Sequence, residues 1–407
     1  MDHQEIDVPP YFLCPISLET MRDPVTVSTG ITYDRESIEK WVFFNKNDTC
    51  PVTKQPLNIT TDNFLTPNHT LRRLIQSWCT INAPYGAERF PTPKPPLTKT
   101  QILKLIREVS GSNPGPRLVK TLEILKSIAN ESSANKRCLE TTSQLIEFLG
   151  QLIIQDNNNG AQALSILAQL NITDERVLRT LAAEKEGAIF DSLMKIMQSS
   201  NYESRAYAIE FMKNLIQVAQ PAQVVGLRVS HFIEVVQLIK DNVSSKASKS
   251  AMKFLTLACP WGRNRVRAVE AGAVHVLVNH LLESNDKRTS EMVFAVLDQL
   301  CGCAEGRAEL LSHGAGLAVV SKKLLRVSHF ATERGVRILY SIARFSGSLS
   351  VVQEMLEIGV VVKLCLVLQV DCEAKTKEKA RDILKLHGKV WKNSPCVPTH
   401  ILGSLSC

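Results

Sequence analysis

Near the start of the chain, apolar and polar residues alternate in the way that is typical of a β-hairpin. In PVTVSTGITYD, residues 24–34, the apolar positions Val25, Val27 and Ile31 flank the turn-forming sequence Ser-Thr-Gly. Because successive side chains of a strand point to opposite faces, this alternation predicts two short antiparallel strands joined by a tight turn.

The hairpin pattern leads directly into a helical one. Asp34 is a favourable N-cap residue, and Tyr33 and Ile38 have the spacing of a hydrophobic staple, in which the residue before the cap packs on the first turn. We therefore predict a helix from Arg35 to about Phe44.

A second helix is predicted to begin at Asn68, directly after Pro67. Apolar residues recur there at positions i, i+3, i+4, i+7 and i+8, which is the stripe of an amphipathic helix. The stripe consists of Leu71, Leu74, Ile75, Trp78 and Cys79. We expect all of it to lie in the core of the domain.

Beyond residue 100 a helical phrase recurs, and Gly187, Gly272, Gly314 and Gly359 precede apolar helices at matching intervals. One apolar residue marks each copy of the phrase, with spacings of 42, 45, 42, 43, 42 and 44 residues: Ile128, Leu170, Leu215, Leu257, Leu300, Ile342 and Leu386. A period of about 40 to 47 residues without a strand pattern is typical of armadillo or HEAT-type repeats. Residues 264–284 resemble an armadillo repeat, with a short helix, a glycine break and a longer helix.

A cluster of prolines at residues 84–96 separates the two patterns, because proline cannot continue a helix and favours a semi-rigid spacer. We predict a mostly α protein in which a small α+β domain precedes an α-solenoid. The predicted boundaries are a compact domain at residues 8–82, a proline-rich linker at 83–98, about six helical repeats at 99–392 and a flexible tail at 393–407.

Charge is divided unevenly along the chain. Residues 1–80 carry 7 Lys+Arg and 10 Asp+Glu, whereas the rest of the chain carries 41 Lys+Arg and 30 Asp+Glu. The basic clusters of the second part contain no interleaved aromatic residues for base stacking, so we expect acidic protein partners and no nucleic acid. We also expect no integral membrane segment, since no run of about 18 apolar residues occurs. The opening MDHQEIDVPP is unlike a signal peptide. We therefore predict a cytoplasmic protein, with the nucleus as an alternative location.

The 11 cysteines are scattered and never spaced Cys-x-x-Cys, which indicates reduced thiols that are mostly core residues. Residues 1–80 offer few zinc-ligand side chains, namely His3, Cys14, Cys50, His69 and Cys79. Because structural zinc needs four such ligands brought together, we predict no metal site there, and no cofactor elsewhere.

The compact domain contains several short motifs in a specific order. FLCPISLETMRDPVTVSTGITYDRESIEKW begins at Phe12, CPVTKQPL at Cys50 and LTPNHTLRRLIQSW at Leu65. This collinear arrangement resembles the U-box of ubiquitin ligases. Together with the proline-rich linker and the armadillo-like repeats, it resembles the plant U-box E3 ubiquitin ligases. The resemblance implies a zinc-free, RING-like α+β domain followed by an armadillo-type α-solenoid.

The resemblance also implies a function, that of an E3 ubiquitin-protein ligase of the RING type, without a covalent ubiquitin intermediate on the E3. The U-box would bind a ubiquitin-charged E2 and hold its thioester near a substrate lysine, so that proximity supplies the rate. The repeats would recruit the substrate protein. By motif position, two loops and the helix between them would contact the E2 through Ile16, Trp41, Pro51, Val52 and Lys54.

These assignments leave alternatives open. We expect Trp41 to be the main anchor, because an exposed indole can bury a large area, although packing of its own helix is the other reading. Ile16 is equally suited to the core, and Lys54 to a solvated surface. Trp78 is expected in the core because it lies on the amphipathic stripe.

A second group of motif residues is expected to hold the U-box together: Cys14, Pro15, Asp23, Pro24, Asp34, Arg35, Cys50 and Asn68. In the family, hydrogen bonds and salt bridges replace zinc, and the candidates here are Glu19, Asp23, Asp34, Arg35, Glu36 and Asn68. We assign no catalytic residue. Cys14 and Cys50 have no neighbouring cationic group in the sequence to activate them as ubiquitin-carrying nucleophiles.

The alternative function is a non-catalytic armadillo scaffold whose U-box has become a docking module. Substrate, preferred E2, ubiquitin linkage and a U-box homodimer are left open by the sequence. The family resemblance suggests plant immune or abiotic stress signalling.

Overall fold

The computed structural model describes residues 8–45, 47–57, 64–83, 97–109, 115–155, 157–172 and 174–392. The predicted tail and most of the predicted linker lie outside these residues. The chain divides into two compact units, one comprising residues 1–102 and 127–139, and the other residues 103–126 and 140–407.

A three-stranded antiparallel sheet lies in the first unit. Strands β1 (Pro24–Thr26) and β2 (Thr32–Asp34) form the predicted hairpin, with Val25 opposite Tyr33. Gly30 has a φ of 81°, in the left-handed region that favours glycine, and it closes the turn. Strand β3 (Thr66–Pro67) pairs with the other edge of β1, so that the strand order is β2-β1-β3. The hairpin prediction is confirmed.

Both predicted helices of this domain are present. Helix α1 (Arg35–Glu39) follows its N-cap Asp34 and continues as a π-helical turn to Phe44. Helix α2 (His69–Asn82) is capped by Asn68, whose side chain accepts a hydrogen bond from the next turn. The apolar stripe of α2 is only partly core, however.

In that stripe, Ile75 and Cys79 are buried, and Leu71 and Trp78 are half-buried. Leu74 is 53% exposed, so the expectation that the whole stripe is core was wrong for this residue. The domain is small, and α2 covers its sheet with one narrow face, which leaves the side of the stripe in solvent.

The core of the domain joins the hairpin, the two helices and the loops around them. Its buried residues are Phe12, Cys14, Met21, Val25, Val27, Tyr33, Ile38, Val42, Cys50, Leu57, Ile75 and Cys79. Glu39 is buried as well, and its carboxylate accepts a hydrogen bond from Ser133 Oγ at 2.6 Å and pairs with Arg137 at 2.7 Å, within the same unit.

The remainder of the described chain is helical. The helices are α3 (Lys99–Val109), α4 (Gly115–Glu131), α5 (Ser133–Glu140), α6 (Ser143–Gln155), α7 (Asn157–Gln169), α8 (Glu175–Ala183), α9 (Ala188–Met197), α10 (Tyr202–Val218), α11 (Pro221–Gly226), α12 (Val229–Lys240), α13 (Ser245–Ala258), α14 (Gly262–Glu270), α15 (Ala273–Glu283), α16 (Lys287–Leu300), α17 (Ala304–Ser312), α18 (Gly316–Lys323), α19 (His329–Phe345), α20 (Leu349–Glu357), α21 (Val360–Gln369) and α22 (Ala374–Trp391). None of these described helices is long and apolar enough to cross a membrane.

From α8 to α22 the second unit repeats a group of three helices five times. The third helix of each group is the longest, and successive third helices, α10, α13, α16, α19 and α22, pack on one another. Leu215, Leu300 and Ile342 are fully buried on them, as the repeat register predicts, but on α13 Leu257 is only half-buried and Leu255 is fully buried instead. In the last group the register is shifted by two residues, because Leu384 is buried and Leu386 is 57% exposed.

Three of the four glycines that mark the repeats stand directly before the second helix of a three-helix group. Gly187, Gly272 and Gly359 are the N-caps of α9, α15 and α21, with φ values of 90°, 79° and 75°. A residue with a Cβ is strained in this conformation. Gly314 does not follow the pattern, since α18 is capped by Ala315 with a φ of −116°.

Candidate functional site

The two Cys-Pro loops of the first domain have the same backbone geometry. In the first loop the N–H of Cys14 donates to the carbonyl of Glu19 at 2.8 Å, and the N–H of Leu18 donates to the carbonyl of Cys14 at 2.8 Å. Leu18 has a positive φ of 59°. A β-bridge between Leu13 and Thr20 closes the base of the loop.

The second loop repeats each of these features. The N–H of Cys50 donates to the carbonyl of Gln55 at 2.8 Å, and the N–H of Lys54 donates to the carbonyl of Cys50 at 2.9 Å. Lys54 has a φ of 60°, and a bridge between Thr49 and Pro56 closes the loop. The segments CPISLE and CPVTKQ are therefore structural copies, which pair Ile16 with Val52 and Leu18 with Lys54.

A hydrogen-bond network lies under the second loop. The Cys50 thiol is fully buried, lies 3.0 Å from the hydroxyl of Tyr33, and accepts a hydrogen bond from Thr29 Oγ1 at 3.3 Å. The N–H of Val52 donates to the same Tyr33 hydroxyl at 3.3 Å. Tyr33 on β2 therefore connects the loop to the sheet.

The network also changes the acidity of the thiol. Burial by itself raises the pKa of Cys50, but hydrogen bonds from Thr29, Thr53 and Tyr33 outweigh it and lower the pKa to about 6. The pKa of Tyr33 is raised, first by burial and then by its hydrogen bond to Cys50. Cys50 is thus acidic yet buried, so it is not positioned to carry a group at the surface.

Under the first loop, a carboxylate takes the place of the tyrosine. Asp34 Oδ1 accepts hydrogen bonds from the N–H groups of Arg22 and Asp23, both at 2.8 Å, and the N–H of Asp34 donates to the buried Cys14 thiol at 3.3 Å. Burial raises the pKa of Asp34, and hydrogen bonds from the backbone oppose this shift.

Charged pairs tie this region to both helices. Asp23 accepts a hydrogen bond from Arg35 Nε at 2.6 Å and also pairs with Arg72 of α2. Asn68 reaches the hydroxyls of Thr26 and Thr32 across the hairpin at 3.5 Å.

Four of the six predicted network residues are therefore in the network: Asp23, Asp34, Arg35 and Asn68. Glu19 and Glu36 have exposed side chains, and Glu19 contributes its backbone carbonyl. Sequence reasoning missed Tyr33 and Arg72. The only available signal for Arg72 was its position one turn after the cap Asn68.

The five predicted E2-contacting residues differ in exposure. Val52 is 52% exposed and Lys54 is exposed, at the tip of the second loop, while Pro51 is half-buried. Ile16 and Trp41 are half-buried against the core. Trp41 therefore differs from the exposed indole that we expected, and its Nε1–H donates to the carbonyl of Thr49 at 2.9 Å.

The remaining motif residues lie in the places that their types favour. Pro24 is buried in β1, whereas Pro15 is exposed in the first loop. Trp78 packs edge-on against Phe12, with 6.0 Å between the ring centroids. Among the described residues, no group of three or more His, Cys, Asp or Glu side chains is arranged to hold a metal ion.

Both parts of the chain match known protein families. Residues 8–83 match the U-box domain, and residues 101–406 match the plant U-box protein ARM repeat region. The chain is 53% identical to E3 ubiquitin-protein ligase PUB23 of Arabidopsis thaliana over 411 residues, covering 99% of this chain and 98% of that protein. It is 50% identical to E3 ubiquitin-protein ligase PUB22 of the same plant over 437 residues, covering 98% and 99%.

A solved structure shows the same fold at low identity. It is described as "A conserved phosphorylation switch controls the interaction between cadherin and beta-catenin in vitro and in vivo", with a TM-score of 0.59, 10% identity and coverage of 78% of this chain and 58% of that one.

Fold and motifs together define a U-box protein with armadillo-type helical repeats. The chain belongs to the family of plant U-box proteins with an ARM repeat region, and it is an E3 ubiquitin ligase, a ubiquitin transferase. The resemblance and the fold class inferred from the sequence are confirmed, and the relatives favour the ligase over the non-catalytic scaffold.

Proposed function

We propose that the U-box recruits a ubiquitin-charged E2 through its two Cys-Pro loops and the helix that carries Trp41. The observation that supports this most is a hydrogen bond that joins the helix to the second loop. The indole N–H of Trp41 is bonded to Thr49 at the base of the second loop, while Val52 and Lys54 extend into solvent from its tip. A rigid loop with an exposed apolar residue next to a cation suits a shallow docking surface.

The proposed mechanism is positioning without covalent chemistry on the ligase. Cys14 and Cys50 are fully buried, so neither thiol is presented to an incoming thioester. The E2 carries ubiquitin, and the ligase increases the rate by holding that thioester close to a lysine of the substrate. Lys54, in the left-handed conformation at the loop tip, would donate hydrogen bonds to the E2 and ubiquitin.

The repeats would hold the substrate protein in the same proposal. The third helices α10, α13, α16, α19 and α22 pack side by side and provide a continuous surface along the array. Arrays of this kind bind extended segments of other proteins.

The test of E2 docking is ubiquitin chain formation with E1, a panel of E2 enzymes, ubiquitin and ATP. Val52→Asp places a charge on the proposed surface, and we expect E2 affinity and chain formation to fall at least about tenfold. The matched control is Leu74→Asp, because Leu74 is 53% exposed on α2, as Val52 is 52% exposed on the loop. Thermal unfolding of both variants checks that the fold is retained.

Chain formation by Val52→Asp at the level of Leu74→Asp would remove the second loop from the docking surface. Cytoplasmic or nuclear localisation and a part in stress or immune signalling stay predictions from the sequence, and the pairing of the U-box with a second copy stays open.

A further inference from the structure

An open groove of about 480 Å³ lies between α19 and α22, the third helices of the last two repeats. Its floor is apolar and includes the buried residues Ala343 and Ile383. Leu386 lines it too, 57% exposed to solvent. This is the same leucine that departs from the repeat register, so its exposure places an apolar side chain in the groove.

Cations on both helices are held against aromatic rings beside this floor. Arg344 donates a hydrogen bond to the Tyr340 hydroxyl at 2.5 Å, and its guanidinium carbon lies 5.5 Å from the Phe345 ring centroid. From α22, Lys379 Nζ lies 5.4 Å from the centroid of the Tyr340 ring. Such contacts restrict flexible side chains and so lower the entropy lost when a ligand binds.

Several cations elsewhere on the third helices pair with acidic residues of the preceding third helix. Arg334 and Arg337 of α19 pair with Asp298 of α16 at 2.9 and 3.0 Å. Lys246 of α13 pairs with Glu210 of α10 at 2.8 Å. At these positions the array supplies the counter-charge itself.

The cations beside the groove between α19 and α22 are not paired in this way. Within the part of the chain that the structure describes, Arg344, Lys379 and Lys385 make no ion pair within 4.0 Å. Asp382 is the one acidic residue among those that line the groove. Among the lining residues, Arg344 and Lys385 against Asp382 leave one positive charge in excess, and Lys379 lies beside them at the Tyr340 ring.

We propose that this groove binds an acidic segment of a substrate protein, with an apolar side chain on the floor and flanking carboxylates beside Arg344, Lys379 and Lys385. The proposal rests on the proposed recruitment of substrates by the repeats, and it gives the chemical class of what is recruited. A nucleic acid suits the groove less well, because the Tyr340 ring already has Arg344 and Lys379 beside it and its face is not free for base stacking.

The test uses the full chain and a fluorescein-labelled peptide, Glu-Glu-Leu-Glu-Phe-Glu-Glu, in a fluorescence anisotropy titration. We expect saturable binding that weakens at least about fivefold in Lys385→Glu and in Leu386→Asp. Lys322→Glu is the matched control, since it makes the same change of net charge on the exposed surface of α18, and we expect no change in its affinity. A peptide with alanine for leucine and phenylalanine is expected to bind more weakly.

Three results would overturn the proposal: no binding to the wild type, equal loss in Lys322→Glu and Lys385→Glu, or equal affinity for single-stranded RNA of the same length. Autonomous ubiquitin chain formation, without a substrate protein, is measured in parallel on Lys385→Glu, Leu386→Asp and Lys322→Glu and is expected to be normal, because none of these residues lies in the U-box. Normal chain formation without peptide binding rejects this groove and leaves the ligase activity standing. Peptide binding without any effect of Val52→Asp on chain formation rejects the E2 surface instead.

Discussion

Arg35 Nε lies 2.6 Å from Asp23 Oδ2, which ties the first residue of α1 to the residue that precedes β1. The other oxygen of the same carboxylate pairs with Arg72 of α2. One side chain therefore joins the hairpin to both helices, in a domain whose size limits its apolar core. All three side chains are less than one-fifth exposed, so solvent screens the pairs weakly.

Removal of this carboxylate charge should destabilise the U-box. We expect Asp23→Asn to lower the free energy of unfolding by about 2 to 3 kcal/mol, because two largely buried guanidinium groups lose this charged partner and, among the described residues, only Arg35 keeps another, Glu39 at 4.0 Å. Glu19→Gln removes the same charge from an exposed side chain and should change it by less than about 0.5 kcal/mol. Urea unfolding of the full chain measures both, and equal values for the two variants would contradict the role given to Asp23.

The thiol of Cys50 should make stability depend on pH. Its pKa is about 6 in the fold and 9.0 as an ordinary thiol. The unfolded chain therefore binds more protons between these values, so this group stabilises the fold increasingly as pH rises from 6 to 9, and its contribution is lost as pH falls through 6.

Cys50→Ser provides the comparison, because its hydroxyl does not titrate in this range. The difference in unfolding temperature between wild type and Cys50→Ser should grow from pH 6 to pH 9. A difference that is constant with pH would show that the native thiol is not acidic.

Trp41 should contribute to both docking and local packing. We expect Trp41→Ala to cost about 2 kcal/mol of E2 binding, about thirtyfold in affinity, if the indole is a main anchor. Trp41→Phe keeps an apolar ring but loses the hydrogen bond to Thr49, and should lie between wild type and alanine. Affinity for the E2, measured by calorimetry together with a melting curve, separates the two effects. Wild-type affinity in both variants would exclude Trp41 from the surface.

Metal removal should leave the U-box folded. Hydrogen bonds and ion pairs join the two Cys-Pro loops, the hairpin and the helices of the domain. Dialysis against EDTA should therefore leave the unfolding temperature unchanged, and chain formation should be normal once magnesium and ATP are supplied. A lower unfolding temperature that zinc restores would show that a metal contributes.

The glycine at the start of α15 should resist substitution. Gly272 has a φ of 79°, so Gly272→Ala should destabilise the array by about 1 to 2 kcal/mol through backbone strain alone, since no atom lies within 4 Å of the added Cβ. Gly262→Ala, in the equally open first position of α14, has no positive φ and should be neutral or slightly stabilising. Equal effects in thermal unfolding would reject the conformational explanation.

Local sequence patterns were sufficient to predict the main helices and strands. The hairpin, the helix caps Asp34 and Asn68, and the glycine starts of α9, α15 and α21 follow from residue types a few positions apart. The repeat register held in most copies but not in α13, where Leu255 is buried and Leu257 only half-buried, nor in α22, where Leu384 and not Leu386 is buried. The last two are leucines on one helix, and only the packing of α22 on its neighbours distinguishes them.

The candidate site was predicted in part for the same reason. The motif identified both Cys-Pro loops and the helix that carries Trp41. It did not identify the bond between Tyr33 and Cys50 or the pairing of Asp23 with Arg72, which join residues 17 and 49 positions apart.

The sequence by itself therefore determined the order of the domains, the period of the repeats and the family, because these depend on residue types at short or regular spacings. Only the tertiary structure decided which polar groups meet beneath the loops, how much of Trp41 reaches solvent and which cations of the array stay unpaired. Those outcomes depend on distances between side chains that are remote along the chain, and on burial, which no local spacing specifies.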